Sequence, residues 1–247
     1  GELEGVSVAF LPRHGKGHRL NPTEVPSKAN IYALKSLGVE QVISISAVGS
    51  LQEPIRPLDM VIPDQLIDRT RGRPSTFFED GIVAHVSFAE PFCPVLRALL
   101  VGGVKETDTT VHDGGTYVVM EGPPFSTIAE SKLYRSWGAS IIGMTALPEA
   151  KLAREAEICY TTLALVTDYD CWHEGHDAVT VDMIIATLTA NAVTAQQVVA
   201  SAVARLPVDR ECECATALGS AIITRPGLIP SDVKRDLAPI IGKYVKG

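Results

Sequence analysis

Three short segments close apolar runs with residues suited to holding an anion: Leu11-Pro-Arg13-His14-Gly15, Ser46-Ala47-Val-Gly-Ser50 and Gly143-Met144-Thr145. Arg13 carries a permanent cation, His14 an imidazole that can donate a hydrogen bond, and Ser46 and Thr145 hydroxyls beside glycines that leave backbone N–H groups accessible. Combined, they suit an oxyanion such as phosphate. Taken singly, each has a plainer reading: an Arg-His pair serves as a surface ion-pair group, and Ser-Ala-Val-Gly-Ser as a turn.

A fourth segment carries acid chemistry. The apolar run 158–167 ends in Asp168-Tyr-Asp170-Cys-Trp172, which puts two carboxylates on one side if the strand continues. Carboxyls among aromatics at a strand end are desolvated, which raises their pKa and lets one deliver a proton near neutral pH. The alternative, a helix-capping Asp and a solvated one, stands equally on the residues alone. His14 and His18 are four apart and His173 and His176 three apart, but neither pair has the third ligand or glutamate of a zinc site, so no metal is expected. Among five cysteines, Cys93, Cys159 and Cys171 lie in apolar surroundings and read as small hydrophobes; Cys212 and Cys214 read as exposed thiols or a strained local disulfide. There is no Walker sequence, no G-x-G-x-x-G after a strand and no G-x-S-x-G elbow, which removes the usual support for an NTPase, a dinucleotide oxidoreductase or an α/β-hydrolase.

These segments need a frame, and the hydropathy pattern supplies one. Short β-branched runs at 6–11, 42–46, 60–67, 116–120, 140–144 and 158–167 predict strands; helical spacing predicts helices over 26–37, 126–137, 148–157, 180–206 and 231–243. Alternation of the two predicts an α/β fold, a sheet covered by helices, in a single domain over 1–247, with 207–247 as an irregular C-terminal arm and last helix. Lys+Arg number 22 against 29 Asp+Glu, a formal charge of -7 without a basic run, which argues against nucleic acid or anionic lipid as partner. No stretch reads as a signal peptide or a membrane span, and the expected location is cytoplasmic.

In order, Arg13-His-Gly15, Ala29-Asn30, Ser46-Ala-Val-Gly-Ser50, Ala89-Glu-Pro-Phe-Cys93, Glu121-Gly-Pro-x-Phe-Ser126, Gly143-Met-Thr-x-x-Pro-Glu149 and Thr167-Asp-Tyr-Asp-Cys-Trp172 closely resemble the methylthioadenosine phosphorylase branch of the trimeric purine nucleoside phosphorylases, from about residue 6 to 206. The resemblance implies a central mixed, partly barrel-like β-sheet surrounded by helices, and phosphorolysis of 5′-methylthioadenosine to adenine and 5-methylthioribose 1-phosphate. It places Arg13, His14, Ser46, Ala47 and Thr145 at phosphate, Met144 at the ribose, and Phe125, Ser126, Asp168 and Asp170 at the purine. Asp168 faces the amino group and N7 and is the catalytic acid. His18, Val181, Ile184 and Ile185 line the methylthio pocket, closed by His85 of a neighbouring subunit in a homotrimer or a dimer of trimers. No cofactor is implied, inorganic phosphate being a co-substrate. The family's first strand and a Gly-rich loop, whose Ser or Thr completes the phosphate site, fall before Gly1 and are expected to be absent from these 247 residues. Pro124 stands where the family commonly has Arg or another polar residue. Two other readings remain: a 6-oxopurine phosphorylase, whose pattern has Asn in place of Asp168, and a non-catalytic nucleoside-binding relative.

Overall fold

The computed structural model describes residues 1–174 and 180–245. They form a single mixed α/β domain around a seven-stranded sheet. Its strands are β3 (Gln41–Ser50), β4 (Met60–Ile62), β5 (Gln65–Arg69), β6 (Val111–Asp113), β7 (Thr116–Met120), β8 (Ile141–Gly143) and β9 (Cys159–Asp168), in the order β5-β7-β8-β3-β9-β4-β6. The sheet is mixed: β9 runs parallel to β3, whereas β8 is antiparallel to β3 and β4 to β9. A separate hairpin pairs β1 (Glu2–Leu3) with β2 (Val6–Ser7) across Glu4-Gly5, both at positive φ, as a two-residue hairpin turn requires.

Helices α1 (Ser27–Ser36), α2 (Pro94–Lys105), α3 (Ile128–Ser136), α4 (Ala146–Glu155) and α5 (Val181–Ala204) cover the sheet. Strand β9, beside the central β3, is buried along its whole length, which is why it reads as a continuous apolar run. Thr127 caps α3 through a reciprocal pair of hydrogen bonds with Glu130.

The structure corrects several boundaries. The strand expected over 6–11 stops at Ser7, so Arg13 and His14 stand on an irregular turn stretch and not at a strand end. The run 60–67 is broken by Pro63, which lacks a donor, into β4 and β5 with different neighbours. Segments α2 and β6 were not expected. Conversely, Ser46–Ser50 is no turn: β3 continues through it. The last helix divides into α6 (Ser231–Asp236) and α7 (Ala238–Ile241), where Pro239 interrupts the donor ladder. Residues 207–230 are irregular apart from two 3₁₀ turns, Glu213–Thr216 and Pro226–Leu228.

Helix α5 is long and apolar enough, by length and composition, to cross a membrane, contrary to the expectation that no segment is. Here that apolarity has two uses. Its C-terminal half buries Ala195, Val198 and Ala202 against Leu100, Val101 and Val104 of α2 and Leu163 and Leu165 of β9. Its first turns face a cleft.

Candidate functional site

One cleft of about 1780 Å³ gathers Arg13, His14, His18, Ser46, Ala47, Phe125, Met144, Thr145, Asp168, Asp170, Val181, Ile184 and Ile185 on its wall. It is larger than a single small ligand fills. Ser126 does not line it: its hydroxyl points to Met120 Sδ at 3.7 Å, and its carbonyl accepts from the Cys171 thiol at 3.3 Å. His85 is exposed and away from the cleft of its own chain, where its backbone N–H donates to Ala221 O at 2.9 Å. Of the His pairs, His14 and His18 stack with ring centroids 4.2 Å apart, and His173 Nε2 lies 3.1 Å from Glu53 Oε1; His176 lies outside the described residues.

At one end of the cleft a cation and hydroxyls converge. Arg13 Nη2 donates to Ser44 Oγ at 2.6 Å and its Nε lies 3.2 Å from Glu149 Oε1, while Glu149 Oε2 accepts from Tyr160 Oη at 2.9 Å. Burial penalises the guanidinium charge, and Glu149, with the phenols of Tyr160 and Tyr117, more than offsets this, so the Arg13 pKa lies above its ordinary value. Ser46 Oγ and Thr145 Oγ1 are 2.7 Å apart. The His14 imidazole sits 2.8 Å from Leu20 O through Nδ1, so that nitrogen carries the proton; burial, opposed by this bond, lowers its pKa. His14 is therefore neutral near pH 7, with Nε2 a free acceptor. This end can take an oxyanion through Arg13, Ser46 and Thr145, with His14 Nε2 as a hydrogen-bond acceptor beside it.

At the other end lie two carboxyls. Asp168 is 8% exposed and accepts from Thr167 Oγ1 and from Asp170 N, each at 2.7 Å. The strand does not continue as expected: β9 ends at Asp168, and Asp170 turns the chain with φ 50°. Both carboxyls still reach the cleft. Burial raises the pKa of each, against hydrogen bonds that favour the anion, and at Asp168 the neighbouring Asp170 raises it further. No salt bridge reaches either carboxyl among the described residues. Neither caps a described helix, which removes the alternative reading of this segment.

Glycines leave room for side chains around the cleft. Between Val48 and Gly49 the β3–β9 register shifts, so that Gly49 faces Asp168. A Cβ at Gly49 would stand 2.9 Å from Asp168 Oδ1 and 3.3 Å from Asp170 N. A side chain at Gly143 would collide with Tyr117 Oη, and one at Gly122 would strike Met144 Sδ.

Two supporting residues were missed from sequence. Arg73, 9% exposed, donates to the carbonyls of Leu147 at 2.7 Å, of Glu121 at 2.5 Å and of Met144, thereby tying the floor around Met144 and Thr145 to the end of β7. In sequence it was one of several charges in an irregular stretch. Glu149 was visible only as part of a motif; a carboxylate among the apolar positions of α4 was the signal that it has a buried partner.

A crossover sheet with an oxyanion end and a carboxyl end in one cleft defines a class. The family model described as "Phosphorylase superfamily" matches residues 1–204. Within that superfamily the chain belongs to the S-methyl-5′-thioadenosine phosphorylase family. It is 60% identical over 245 residues to S-methyl-5′-thioadenosine phosphorylase of Chloroflexus aurantiacus, covering 99% of this chain and 85% of the relative. To that of Koribacter versatilis it is 59% identical over 244 residues, covering 99% and 84%. Its fold matches a methylthioadenosine phosphorylase sourced from an antarctic soil metagenomic library with a TM-score of 0.92 at 55% identity, covering 97% of this chain and 85% of that one. A methylthioadenosine phosphorylase from Schistosoma mansoni in complex with adenine matches with a TM-score of 0.79 at 33% identity, covering 94% and 81%.

Proposed function

We propose that the chain catalyses phosphorolysis of 5′-methylthioadenosine, giving adenine and 5-methylthioribose 1-phosphate. The carrying observation is the arrangement of one cleft: Arg13, Ser46 and Thr145 at one end, Asp168 at the other and an apolar wall from α5. A phosphate oxygen attacks C1′ as the bond from C1′ to N9 breaks, and the electron pair leaves with the purine, which takes a proton at N7. Positive charge grows on the ribose and negative charge on the base, so a phosphate dianion beneath C1′ and an acid near N7 stabilise both halves.

Each residue has a role in this reading. Arg13, Ser46, the backbone at Ala47 and Thr145 hold phosphate, and His14 Nε2 accepts a hydrogen bond from a protonated phosphate oxygen or a ribose hydroxyl. Met144 packs on the ribose; Phe125, half exposed, offers its ring to the purine. Asp168, whose pKa burial raises, donates to N7, and Asp170 fixes it through its backbone N–H. Ser126 acts indirectly, through the Cys171 segment. An Asp at this position favours a 6-amino purine over a 6-oxo one. Val181, Ile184 and Ile185 accept a thioether in place of a hydroxyl. Inorganic phosphate is the only co-substrate.

The chain works as a homotrimer in which His85 of one protomer closes the methylthio pocket of the next. Exposed Val181 and Ile185 on α5, with His85 away from its own cleft, support this arrangement. The test is adenine release from methylthioadenosine with and without phosphate. Release that requires phosphate and yields one sugar phosphate per adenine is expected; equal release without phosphate would establish a hydrolase, and binding without turnover a nucleoside-binding protein.

A further inference from the structure

Four cysteines scattered through the sequence meet outside the cleft. The sulfurs of Cys93, Cys159, Cys212 and Cys214 all lie within 4.8 Å of one another, with Cys159 and Cys212 3.2 Å apart. Cys93 is the N-cap of α2, Cys159 opens β9, and Cys212 and Cys214 begin the 3₁₀ turn of the C-terminal arm. The expectation of exposed thiols at 212 and 214 fails for Cys214, which is 3% exposed; Cys93 and Cys159 are as deeply buried. Leu96, Leu99 and Leu206 enclose the group.

We propose that these four cysteines form a structural zinc site, a closed tetrahedral centre of four thiolates that pins the C-terminal arm to the starts of α2 and β9. Zinc–sulfur bonds of about 2.3 Å put tetrahedral sulfurs about 3.8 Å apart, within the spread seen here. Two disulfides would require only that each pair be close and would leave the distances between pairs free. Convergence of all four on one point is what a single ion demands. Thiolate donors with no carboxylate or imidazole in the group select a soft ion, and four of them leave no open position, as in structural sites. Each cysteine binds as thiolate, so up to four protons pass to solvent when the ion enters and the centre carries two net negative charges. Arg210 lies on the wall of a cavity of about 10 Å³ that also touches Cys93, Cys159 and Cys212, and its guanidinium donates to Glu157 O at 2.7 Å. It supplies a neighbouring cation, beside Glu40 and Glu211 of opposite sign.

The site explains how an arm with little regular structure holds its place. Residues 207–216 have few backbone hydrogen bonds to the sheet, and a metal joining three distant segments replaces what a ladder would supply. Sequence spacing concealed it, because 53 residues separate Cys159 from Cys212 and the four never form a paired C-x-x-C motif.

The test uses the full chain produced without a metal-affinity tag, with zinc content and intact mass read before any reductant is added. Elemental analysis should find about one zinc per chain, with an intact mass equal to that of the fully reduced polypeptide. Cobalt added to metal-free, reduced protein should give thiolate-to-cobalt charge-transfer bands and tetrahedral d–d bands, displaced by zinc. Cys212→Ser should lower zinc affinity at least about tenfold, Cys171→Ser should leave zinc content unchanged, and Cys214→His should retain zinc with an altered cobalt spectrum. Zinc removal should speed hydrogen exchange in residues 207–216 over the rest of the fold. A reduced, folded chain that takes up neither metal, one whose native state has lost hydrogen to disulfides, or one that carries iron instead would overturn the proposal.

Discussion

The two ends of the cleft handle buried charge in opposite ways. At the oxyanion end, Arg13 is matched before any ligand arrives: Glu149 stands 3.2 Å from its Nε, and Tyr160 satisfies the other carboxylate oxygen. At the carboxyl end, Asp168 and Asp170 have hydrogen bonds but no cation among the described residues, and burial raises both pKa values. A paired cation is held in its charged form, whereas burial without a cation shifts a carboxyl toward its protonated form. The first suits holding a dianion and the second giving a proton away, and phosphorolysis needs both within one ligand's length.

The largest expected effect comes from removing the acid. Asp168→Ala should lower kcat about a hundredfold or more, the usual scale of general acid catalysis, with KM for phosphate little changed. A tenfold or smaller loss would mean that the purine leaves without help from this carboxyl, and the contrast between the ends would lose its functional meaning.

Next comes the paired cation. Arg13→Ala should reduce kcat/KM for phosphate by roughly 10–100-fold, since a charged hydrogen bond contributes about 1.5–3 kcal/mol. It also strands Glu149 in the interior, at a cost of about 3–5 kcal/mol. Adding Glu149→Gln to Arg13→Ala should restore much of the melting temperature but none of the phosphate use. If stability and phosphate use recovered together, Arg13 would be a structural partner of Glu149 alone.

Gly49→Ala sharpens the comparison from the backbone. The added methyl meets Asp168 Oδ1 at 2.9 Å, and overpacking of this kind costs about 1–3 kcal/mol. The displaced carboxyl should reduce kcat roughly tenfold while phosphate KM stays near wild type. A variant with normal kcat would place Asp168 away from the reacting base.

The smallest effect is on stability against pH. Because the folded pKa of Asp168 is raised above its unfolded value, its contribution is fully present below about pH 4 and is lost as pH rises through the folded pKa. Asp168→Asn removes that loss, so the melting temperature of the mutant relative to wild type should climb from acid to neutral pH. A difference that stays flat would show that the carboxyl titrates as if exposed.

How much of this was legible in sequence depended on whether a residue's partner lay nearby in the chain. The strands around β9 and β3, and helices α1, α3, α4 and α5, followed from local periodicity. The segments 46–50, 143–145 and 168–170 were found because small and polar residues interrupt apolar runs. The turn at Asp170 was missed, since a positive φ at a non-glycine residue leaves no local mark. The Arg73 staple, the Arg13–Glu149 pair and the cysteine cluster were missed for a shared reason: each joins segments far apart in the chain, 48 residues for Arg73 and Glu121 and 53 for Cys159 and Cys212. Reading Ser46–Ser50 as a possible turn undervalued the β-bulge, which lets a strand pass close to a functional carboxyl.

The most direct test of the account is the substrate preference of Asp168→Asn. The amide cannot deliver a proton as an acid does, but its NH₂ can donate to a 6-oxo group. Measured side by side on adenosine-type and inosine-type nucleosides, with the melting temperature recorded for each protein, the folded mutant should lose most 6-amino activity and gain relative preference for 6-oxo substrates. An unchanged amino-to-oxo ratio in a mutant as stable as wild type would contradict the assignment of Asp168 to the purine.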